Sequence, residues 1–232
     1  MKKIGMIGGI SWESTQLYYE LLNKKVKELL GGFHSADCVI ESFDFAQIAE
    51  LQKQDDWNAL DALMIKRAKS LEASGAELIL ICANTMHLSV NAINRNTNVP
   101  IVHIAQVTAE KIKALGLNKV ALLGTKFTME RNFFRKILEE DNIAVLIPNQ
   151  IDRDLVHDII YKELVLGVLT EASKKTYLRI IEDLKIRGAQ GVVLGCTEIP
   201  LLIHPEDVDL PLFNTTKIHA EKAVHLALEK EI

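Results

Sequence analysis

The segment KIGMIGGIS, residues 3–11, begins with a lysine and continues with a short apolar run. Two glycines, Gly8 and Gly9, end this run, and Ser11 follows two residues later. The segment KVALLGTKFT, residues 119–128, repeats this order of residue types 116 positions later. A second pair, GAELIL at 75–80 and GAQGVV at 188–193, lies 113 positions apart. Two matches in the same order and at nearly the same spacing indicate two related lobes. The alternative is that unrelated buried strands share a common beginning.

Around these segments, short apolar runs alternate with helical patterns, which is typical of a parallel sheet with crossover helices. Most runs are apolar throughout, as expected for strands covered on both faces. The predicted strands are Lys3–Ile7, Cys38–Phe43, Glu77–Cys82, Pro100–Val102, Lys119–Leu123, Ile143–Ile147 and Gly191–Leu194. The predicted helices are Glu13–Leu30, Leu60–Glu72, Ala105–Ala114, Glu130–Glu139, Leu155–Leu166, Ala172–Ile186 and Lys217–Lys230.

The fold class that follows is α/β, built from two similar lobes. We expect an N-terminal lobe in residues 1–105 and a C-terminal lobe in residues 106–212. A C-terminal helix in residues 213–232 is expected to pack back on the N-terminal lobe. Duplicated lobes of this class bind small ligands between them, at the carboxyl ends of the strands.

Composition narrows the class of protein further. Hydrophobic residues make up 48% of the 232 residues and charged residues 25%, with a net charge of −4, so no basic face for nucleic acid is indicated. The longest apolar run, Leu78–Ala83, is too short to span a membrane, and the first residues do not form a signal peptide. We therefore expect a cytoplasmic protein. Its three cysteines lack CxxC spacing, which predicts neither a disulfide framework nor a metal site.

Small and hydroxyl-bearing residues follow four of the predicted strands. Small residues let the backbone approach a ligand, and the backbone N–H groups at a helix start suit a carboxylate or a phosphate. Neither GxGxxG nor GxxxxGK[ST] is present, so a nucleotide site is disfavoured. The four runs are Gly8-Gly9-Ile10-Ser11, Ala83-Asn84-Thr85, Gly124-Thr125-Lys126-Phe127-Thr128 and Cys196-Thr197-Glu198.

Cys196 is the candidate nucleophile of these runs. Most thiols are inert core residues, but a thiol at a helix start is expected to have a pKa lowered towards neutral. The internal repeat aligns Cys82 with Gly195 and Ala83 with Cys196. Because side chains alternate along a strand, Cys82 and Ala83 are expected to point in different directions.

Six motifs are distributed along the whole chain: GGISWEST (8–15), GGFHSA (31–36), CANTMH (82–87), LLGTKFTM (122–129), GCTEI (195–199) and NTTKIHA (214–220). In these motifs the chain resembles the cofactor-independent aspartate/glutamate racemases, with features closest to the bacterial aspartate racemases and their L-aspartate/glutamate-specific branch. The resemblance implies two Rossmann-like lobes with parallel sheets and the active site in the cleft between them. It implies two cysteines on opposite faces of the substrate Cα, no cofactor and no metal.

The resemblance assigns Cys196 to the α-proton of the L-enantiomer, while Ala83 occupies the position of the second thiol. Water or a hydroxyl could serve the other face of Cα, or Cys82 could rotate into place. Otherwise the protein exchanges protons on one face or binds without turnover. Asn84, Thr85 and Thr197 are expected to hold the substrate carboxylate, whose charge grows when the α-proton leaves.

The remaining candidates concern substrate binding and support of the site. Archaeal relatives hold the distal carboxylate with basic side chains where this chain has Gln52 and Val165; Gln52 either donates to that carboxylate or is a solvated helix residue. Glu198 either binds the substrate ammonium or caps its helix. His87 and His219 either support the site or are helix-face or buried residues. Further substrate-binding candidates from the strand ends are Ile10, Ser11, Thr125 and Thr128.

The predicted function is racemisation of a small acidic amino acid through Cys196, by a homodimer that binds neither nucleic acid nor membranes. One alternative is an isomerase or decarboxylase that acts on dicarboxylates with a single thiol. The other is a dicarboxylate-binding protein without catalytic activity.

Overall fold

The computed structural model describes residues 1–229 of the chain. The chain forms two compact units, one of Met1–His103 together with the chain from His219 onwards, and the other of Ile104–Ile218. Each unit has its own parallel sheet flanked by helices, and the predicted α/β fold class is confirmed. The proposed domain limits 1–105, 106–212 and 213–232 stay predictions; the end of the last segment, 230–232, lies outside the described residues.

The sheet of the first unit has three parallel strands in the order β2-β1-β3. The central strand β1 (Ile4–Gly8) is buried along its whole length and pairs with β2 (Cys38–Ser42) and β3 (Leu78–Ile81). Its apolar sequence therefore reflects burial on both faces of the sheet. In this register Ile7 lies opposite Ile81.

The sheet of the second unit has four parallel strands in the order β5-β4-β6-β7. In order along the chain these strands are β4 (Lys119–Gly124), β5 (Ala144–Leu146), β6 (Val192–Gly195) and β7 (Leu212–Asn214). Alternate side chains of β4 lie on opposite faces of the sheet. Ala121 and Leu123 belong to the apolar cluster on one face. Val120 and Leu122 belong to the cluster on the other face. Both faces of this sheet are thus covered, as the continuous apolar runs predict.

Helix α1 shows how the chain leaves β1. Ser11 caps its first turn by accepting a hydrogen bond from the backbone N–H of Ser14, and Gly31 ends it. Its buried face includes Tyr18, Leu22 and Val26, at the three- to four-residue spacing of an amphipathic helix. The helices are α1 (Trp12–Leu30), α2 (Phe45–Lys53), α3 (Trp57–Ala73), α4 (Val90–Asn94), α5 (Ile104–Ala114), α6 (Lys126–Glu130), α7 (Asn132–Glu140), α8 (Gln150–Lys162), α9 (Glu171–Ile186), α10 (Ile199–Leu202) and α11 (Thr215–Leu228). Short 3₁₀ helices span Thr85–Ser89, Leu164–Leu166 and Pro205–Asp207.

Several elements differ from the sequence prediction. The predicted strand Pro100–Val102 is reduced to one bridge, between Ile101 and Ile79, and proline at its first position can donate no ladder hydrogen bond. Strand β7 was not predicted, because its three residues are too few to show a period. Helix α2 was not predicted either, although Phe45, Ile48 and Leu51 recur at helical spacing. Helix α8 starts five residues before the predicted Leu155, where Asn149 caps it. The terminal residue of the predicted helix 217–230 lies outside the described residues.

Gly9 allows the chain to turn directly after β1. Its φ is +76°, and a Cβ there would lie 2.2 Å from the backbone oxygen of Phe43 and 2.4 Å from its nitrogen. Both the left-handed conformation and the close approach of two backbones require a residue without a side chain. This turn leads into Ser11 and the start of α1.

Three imidazoles pack together in the interior of the first unit. The ring of His87 lies 4.8 Å from that of His103 and 5.5 Å from that of His219, between centroids. His219 Nε2 donates to the Val102 carbonyl at 2.6 Å, so its Nδ1 accepts from the Tyr18 hydroxyl at 2.7 Å. Burial lowers the pKa of His219 to about 3 and that of His103 to about 4. Burial and the two neighbouring imidazoles hold the pKa of His87 well below its usual range.

We predict that Gly9→Ala lowers the free energy of unfolding by about 2–4 kcal/mol, as the sum of a left-handed backbone and a clash with Phe43. Gly75→Ala is the matched control, since Gly75 also has a positive φ (+83°) but has open space around its Cβ position. It should cost only about 1–2 kcal/mol. Urea unfolding followed by circular dichroism measures both. Equal losses in the two variants would show that the contact with Phe43 carries no cost.

We predict that the histidine cluster makes the protein less stable in mild acid. Because the three imidazoles stay neutral in the folded chain while an unfolded chain binds protons below pH 6.5, stability decreases as the pH falls from 6.5 towards about 4. Each imidazole contributes about 1.4 kcal/mol per pH unit. Urea unfolding between pH 4.5 and 7 measures the slope.

His103→Gln removes one of the three titrating rings and should make that slope shallower. The exposed His225 provides the control substitution, His225→Gln. A slope that is the same in wild type and in His103→Gln would contradict the assignment of the acid sensitivity to the cluster.

Candidate active site

The strand pair β1 and β3 of the first sheet ends in the same register as the pair β4 and β6 of the second sheet. Ile81 pairs with Ile7 in the first unit, and Leu194 pairs with Leu123 in the second. The next residues are Cys82 and Gly195, and the residues after those are Ala83 and Cys196. The sheet register thus gives Ala83 the position that Cys196 has in the other unit.

In the first unit, helix α1 is tied to the end of β3. The Ser14 hydroxyl donates to the carbonyl of Cys82 at 2.7 Å, and the Thr15 hydroxyl donates to the carbonyl of Ser11 at 3.0 Å while it accepts from the Gly9 N–H at 2.8 Å. These bonds hold the strand-end segments of β1 and β3 at one edge of the sheet. Ile10 and Ser11, two of the predicted binding residues, are both buried there.

Asn84 and Thr85 follow β3 at this edge, at the start of the 3₁₀ helix Thr85–Ser89. Asn84 is buried, and Thr85 is partly exposed. His87 Nδ1 donates to the carbonyls of Ala83 at 2.9 Å and Asn84 at 3.2 Å. His87 therefore fixes the backbone that carries the predicted binding residues, which was one of its two proposed roles.

Gln52 lies on α2 and is buried rather than solvated. Its Nε2 donates to the Met86 sulfur at 3.4 Å. A thioether is a weak acceptor, so a carboxylate would be a stronger partner for the same N–H. This placement fits the predicted donor role of Gln52 and excludes the solvated alternative.

The two cysteines of the first unit, Cys82 and Cys38, are buried or half-buried. Cys82 is fully buried, and its burial raises the pKa of the thiol. Cys38 is half-buried at the start of the edge strand β2, and burial also raises its pKa. A buried thiol with a raised pKa is a poor source of thiolate.

In the second unit, the thiol of Cys196 donates to Glu198 Oε2 at 2.9 Å. Cys196 is partly exposed at the end of β6, and Glu198 is buried. Desolvation, followed by the charge of the Glu198 carboxylate and its hydrogen bond with the thiol, raises the pKa of Cys196 well above its usual value.

The backbone N–H groups of Thr197 and Glu198 lower the pKa of the thiol, as expected for a helix start, but burial and the Glu198 carboxylate outweigh them, so the expected pKa near neutral is wrong. Helix α10, which follows, has only four residues, and its weak dipole does not compensate for a carboxylate in contact with the sulfur. The hydrogen bond to Glu198 places the proton on the sulfur.

Two phenols near this pair were not identified from the sequence. Burial raises the pKa of Tyr161 on α8 to about 12 and that of Tyr177 on α9 well above its usual value, and the charges of Cys196 and Glu198 add to both shifts. Val165 packs against the same apolar core as Tyr161 and Cys196. The apolar periodicity of the sequence predicts that Tyr161 and Tyr177 lie on helices, but it does not predict that they lie near Cys196.

The other predicted binding residues of this unit lie at the same strand ends. Thr125 caps α6 by accepting from the Thr128 N–H at 3.3 Å, and the two hydroxyls are 3.3 Å apart. Gly124 and Gly195 approach so closely that a Cβ on either would lie 2.9 Å from a backbone oxygen of the other strand. The strand ends thereby bring Thr128 close to β6, while Thr197 follows Cys196 and is partly exposed.

The described residues show neither a cluster of metal-binding side chains nor a membrane-spanning helix. Within residues 1–229, no three His, Cys, Asp or Glu side chains are grouped so that they could hold a metal ion. In the same residues, no helix is both long and apolar enough to cross a membrane.

The chain is similar to several known racemases and racemase homologues. A candidate Asp/Glu racemase from Yersinia pestis has a structure with a TM-score of 0.93, is 46% identical, and matches over 98% of this chain and 100% of its own. An aspartate racemase homologue from Pyrococcus horikoshii OT3 is 39% identical over 98% of this chain and 99% of its own, with a TM-score of 0.85. A broad specificity amino-acid racemase from Bacillus subtilis (strain 168) is 19% identical over 95% of this chain and 96% of its own.

The model of the Asp/Glu/Hydantoin racemase family matches residues 7–223. The resemblance drawn from the motifs is thereby confirmed at the level of the family, as is the prediction of an enzyme of the amino-acid racemase class. This match, together with 46% identity over nearly the whole chain, shows that the chain belongs to the Asp/Glu/Hydantoin racemase family.

Proposed function

We propose that this enzyme racemises an acidic amino acid, aspartate or glutamate, by proton transfer between Cα and the thiol of Cys196. The observation that carries the proposal is the partly exposed thiol at the end of β6, in hydrogen-bond contact with the carboxylate of Glu198. A thiol in this position can exchange a proton with a ligand bound at the strand ends, and a carboxylate beside it can hold the ligand's ammonium group.

Removal of the α-proton turns the substrate carboxylate into a dianionic enolate, which needs fixed hydrogen-bond donors. Thr197 beside the thiol and Asn84 and Thr85 after β3 are the donors we assign to it. The buried amide of Gln52 is assigned to the distal carboxylate, because its Nε2 has a thioether as acceptor. Glu198 is assigned to the ammonium, since opposite charges at hydrogen-bond distance favour each other.

The protonated state of Cys196 suits one direction of the reaction. A thiol with a raised pKa is ready to deliver a proton to the enolate and form the L-enantiomer, the role that the family resemblance implies. The reverse direction requires the thiolate. The family resemblance gives Ala83 the position of the second thiol; because its methyl group has no proton to give, we assign the second proton transfer to water or a neighbouring hydroxyl.

The single thiol at the strand ends also supports a second candidate function. Isomerisation or decarboxylation of a dicarboxylate needs only one proton donor or nucleophile, and Ala83 has the position equivalent to Cys196. Assays with maleate and with an arylmalonate distinguish this reaction from racemisation of aspartate. A dicarboxylate-binding protein without catalytic activity would be inactive in all three assays.

We predict that Cys196→Ala lowers the rate of D-enantiomer formation from L-aspartate and L-glutamate at least a thousandfold, because no other group replaces the proton carrier. Chiral chromatography of the products measures the rate. Cys38→Ala is the matched control, since it removes another partly exposed thiol and should leave the rate unchanged. Activity of Cys196→Ala within tenfold of wild type, about 1.4 kcal/mol in activation free energy, would exclude Cys196 from the mechanism.

We predict that Ala83→Cys restores a two-thiol site. In D₂O, wild-type enzyme should exchange the α-proton of the L-enantiomer much faster than that of the D-enantiomer, because water is a poorer acid than a thiol. The variant should increase exchange on the D-enantiomer at least tenfold, with little change on the L-enantiomer. Proton NMR of the α-hydrogen measures both rates.

Cys82→Ala tests the competing assignment of the second proton group. This variant should leave exchange unchanged, because the Cys82 thiol is fully buried. If Cys82→Ala abolished exchange on the D-enantiomer while Ala83→Cys had no effect, Cys82 would be the second group.

A further inference from the structure

The Cys196 thiol lies against the carboxylate of Glu198. The thiol donates to Glu198 Oε2 at 2.9 Å, and the carboxylate is buried, so its negative charge lies close to the sulfur with little screening by water. A thiolate formed beside this carboxylate would face a like charge at contact distance. The contact therefore favours the protonated sulfur.

The backbone N–H groups of Thr197 and Glu198 stabilise a thiolate, but burial and the Glu198 carboxylate oppose it more strongly. Tyr161 from α8 and Tyr177 from α9 are the titratable side chains coupled to both Cys196 and Glu198, and both are neutral phenols. Glu163, at the end of α8, faces Tyr177 and is bound by the hydroxyls of Ser173 and Thr170. The largest electrostatic influence on the thiol is the carboxylate of Glu198.

We propose that the ammonium group of the bound amino acid makes the thiolate of Cys196 accessible by occupying Glu198. An ammonium that donates to the carboxylate takes the place of the thiol as hydrogen-bond donor and neutralises the charge that opposes the thiolate. Glu198 is thus a residue that couples substrate binding to ionisation of the catalytic sulfur. The inference rests on the proposed function, since the ligand is its amino-acid substrate.

The proton balance of this step is simple. The S–H bond of Cys196 breaks, the electron pair stays on sulfur, and the proton leaves to solvent while the ligand's ammonium keeps its own protons. No oxidant, reductant or second substrate takes part.

The thiolate absorbance at 240 nm tests the proposal, because it needs no access of a reagent to the sulfur. We would titrate wild-type enzyme between pH 6 and 10.5 alone, with saturating aspartate and with saturating succinate, and subtract the same titrations of Cys196→Ser. Aspartate and succinate differ only in the amino group. We expect aspartate, but not succinate, to lower the midpoint by at least about one pH unit, a tenfold change in the ionisation constant.

The variant Glu198→Gln tests whether the charge of Glu198 is what opposes ionisation of the thiol. This variant keeps an acceptor for the thiol but removes the charge, so its midpoint without ligand should be at least about one pH unit below that of wild type. Added aspartate should then change it little. Glu206→Gln, the same substitution at an exposed glutamate of the second unit, should titrate like wild type, and circular dichroism checks that each variant is folded.

Three results would overturn the inference: equal midpoints with aspartate and succinate, an unchanged midpoint in Glu198→Gln, or a shift in Glu206→Gln of the same size. If wild type racemises aspartate and any of these is found, the coupling is wrong and the proposed function stands. If the enzyme neither binds nor racemises aspartate or glutamate, the proposed function fails with it.

Discussion

The parallel pairing of β4 with β6, with Leu123 opposite Leu194, decides where the candidate chemistry lies. Both strands are buried on two faces, so a shift in register would disrupt the close packing of their side chains on both sides of the sheet. The chain can leave the sheet only at the strand ends, where Gly124 and Gly195 let the two backbones approach closely. The residue that follows, Cys196, is thereby placed at the edge of the sheet beside Glu198. The same pairing in the other unit brings Ala83 to the equivalent edge.

The electrostatic character of the two edges differs. At the end of β6, a thiol, a carboxylate and two phenols form an environment that opposes the formation of further negative charge. A cationic group on a ligand is the natural complement of that environment. This is why the thiol's raised pKa is compatible with a catalytic role, although it contradicts the simple expectation for a thiol at a helix start.

At the end of β3, the polar groups are neutral and the supporting residues are kept neutral by burial. His87 and His219 both donate to backbone carbonyls, so their protons are used to hold the chain in place. Their lowered pKa values make them poor carriers of charge at neutral pH and are the basis for the predicted loss of stability in mild acid.

Much of this arrangement could be predicted from the sequence alone. The repeated apolar runs at 3–8 and 119–124 indicate buried parallel strands, because burial on both faces leaves a continuous apolar pattern. The small residues and hydroxyls after those runs indicate the strand ends, and the motifs around Cys196 indicate the family. Strand β7 was missed because its three residues show no period, and helix α2 was missed although its apolar residues recur at helical spacing.

The ionisation state of Cys196 was decided only by the tertiary structure. It depends on the burial of the sulfur and on the Glu198 carboxylate that lies against it. Distances of a few ångströms determine such energies, and hydrophobic periodicity determines only which face of an element is buried. The same holds for Gln52, whose amide lies against Met86, and for the three histidines, whose rings pack together.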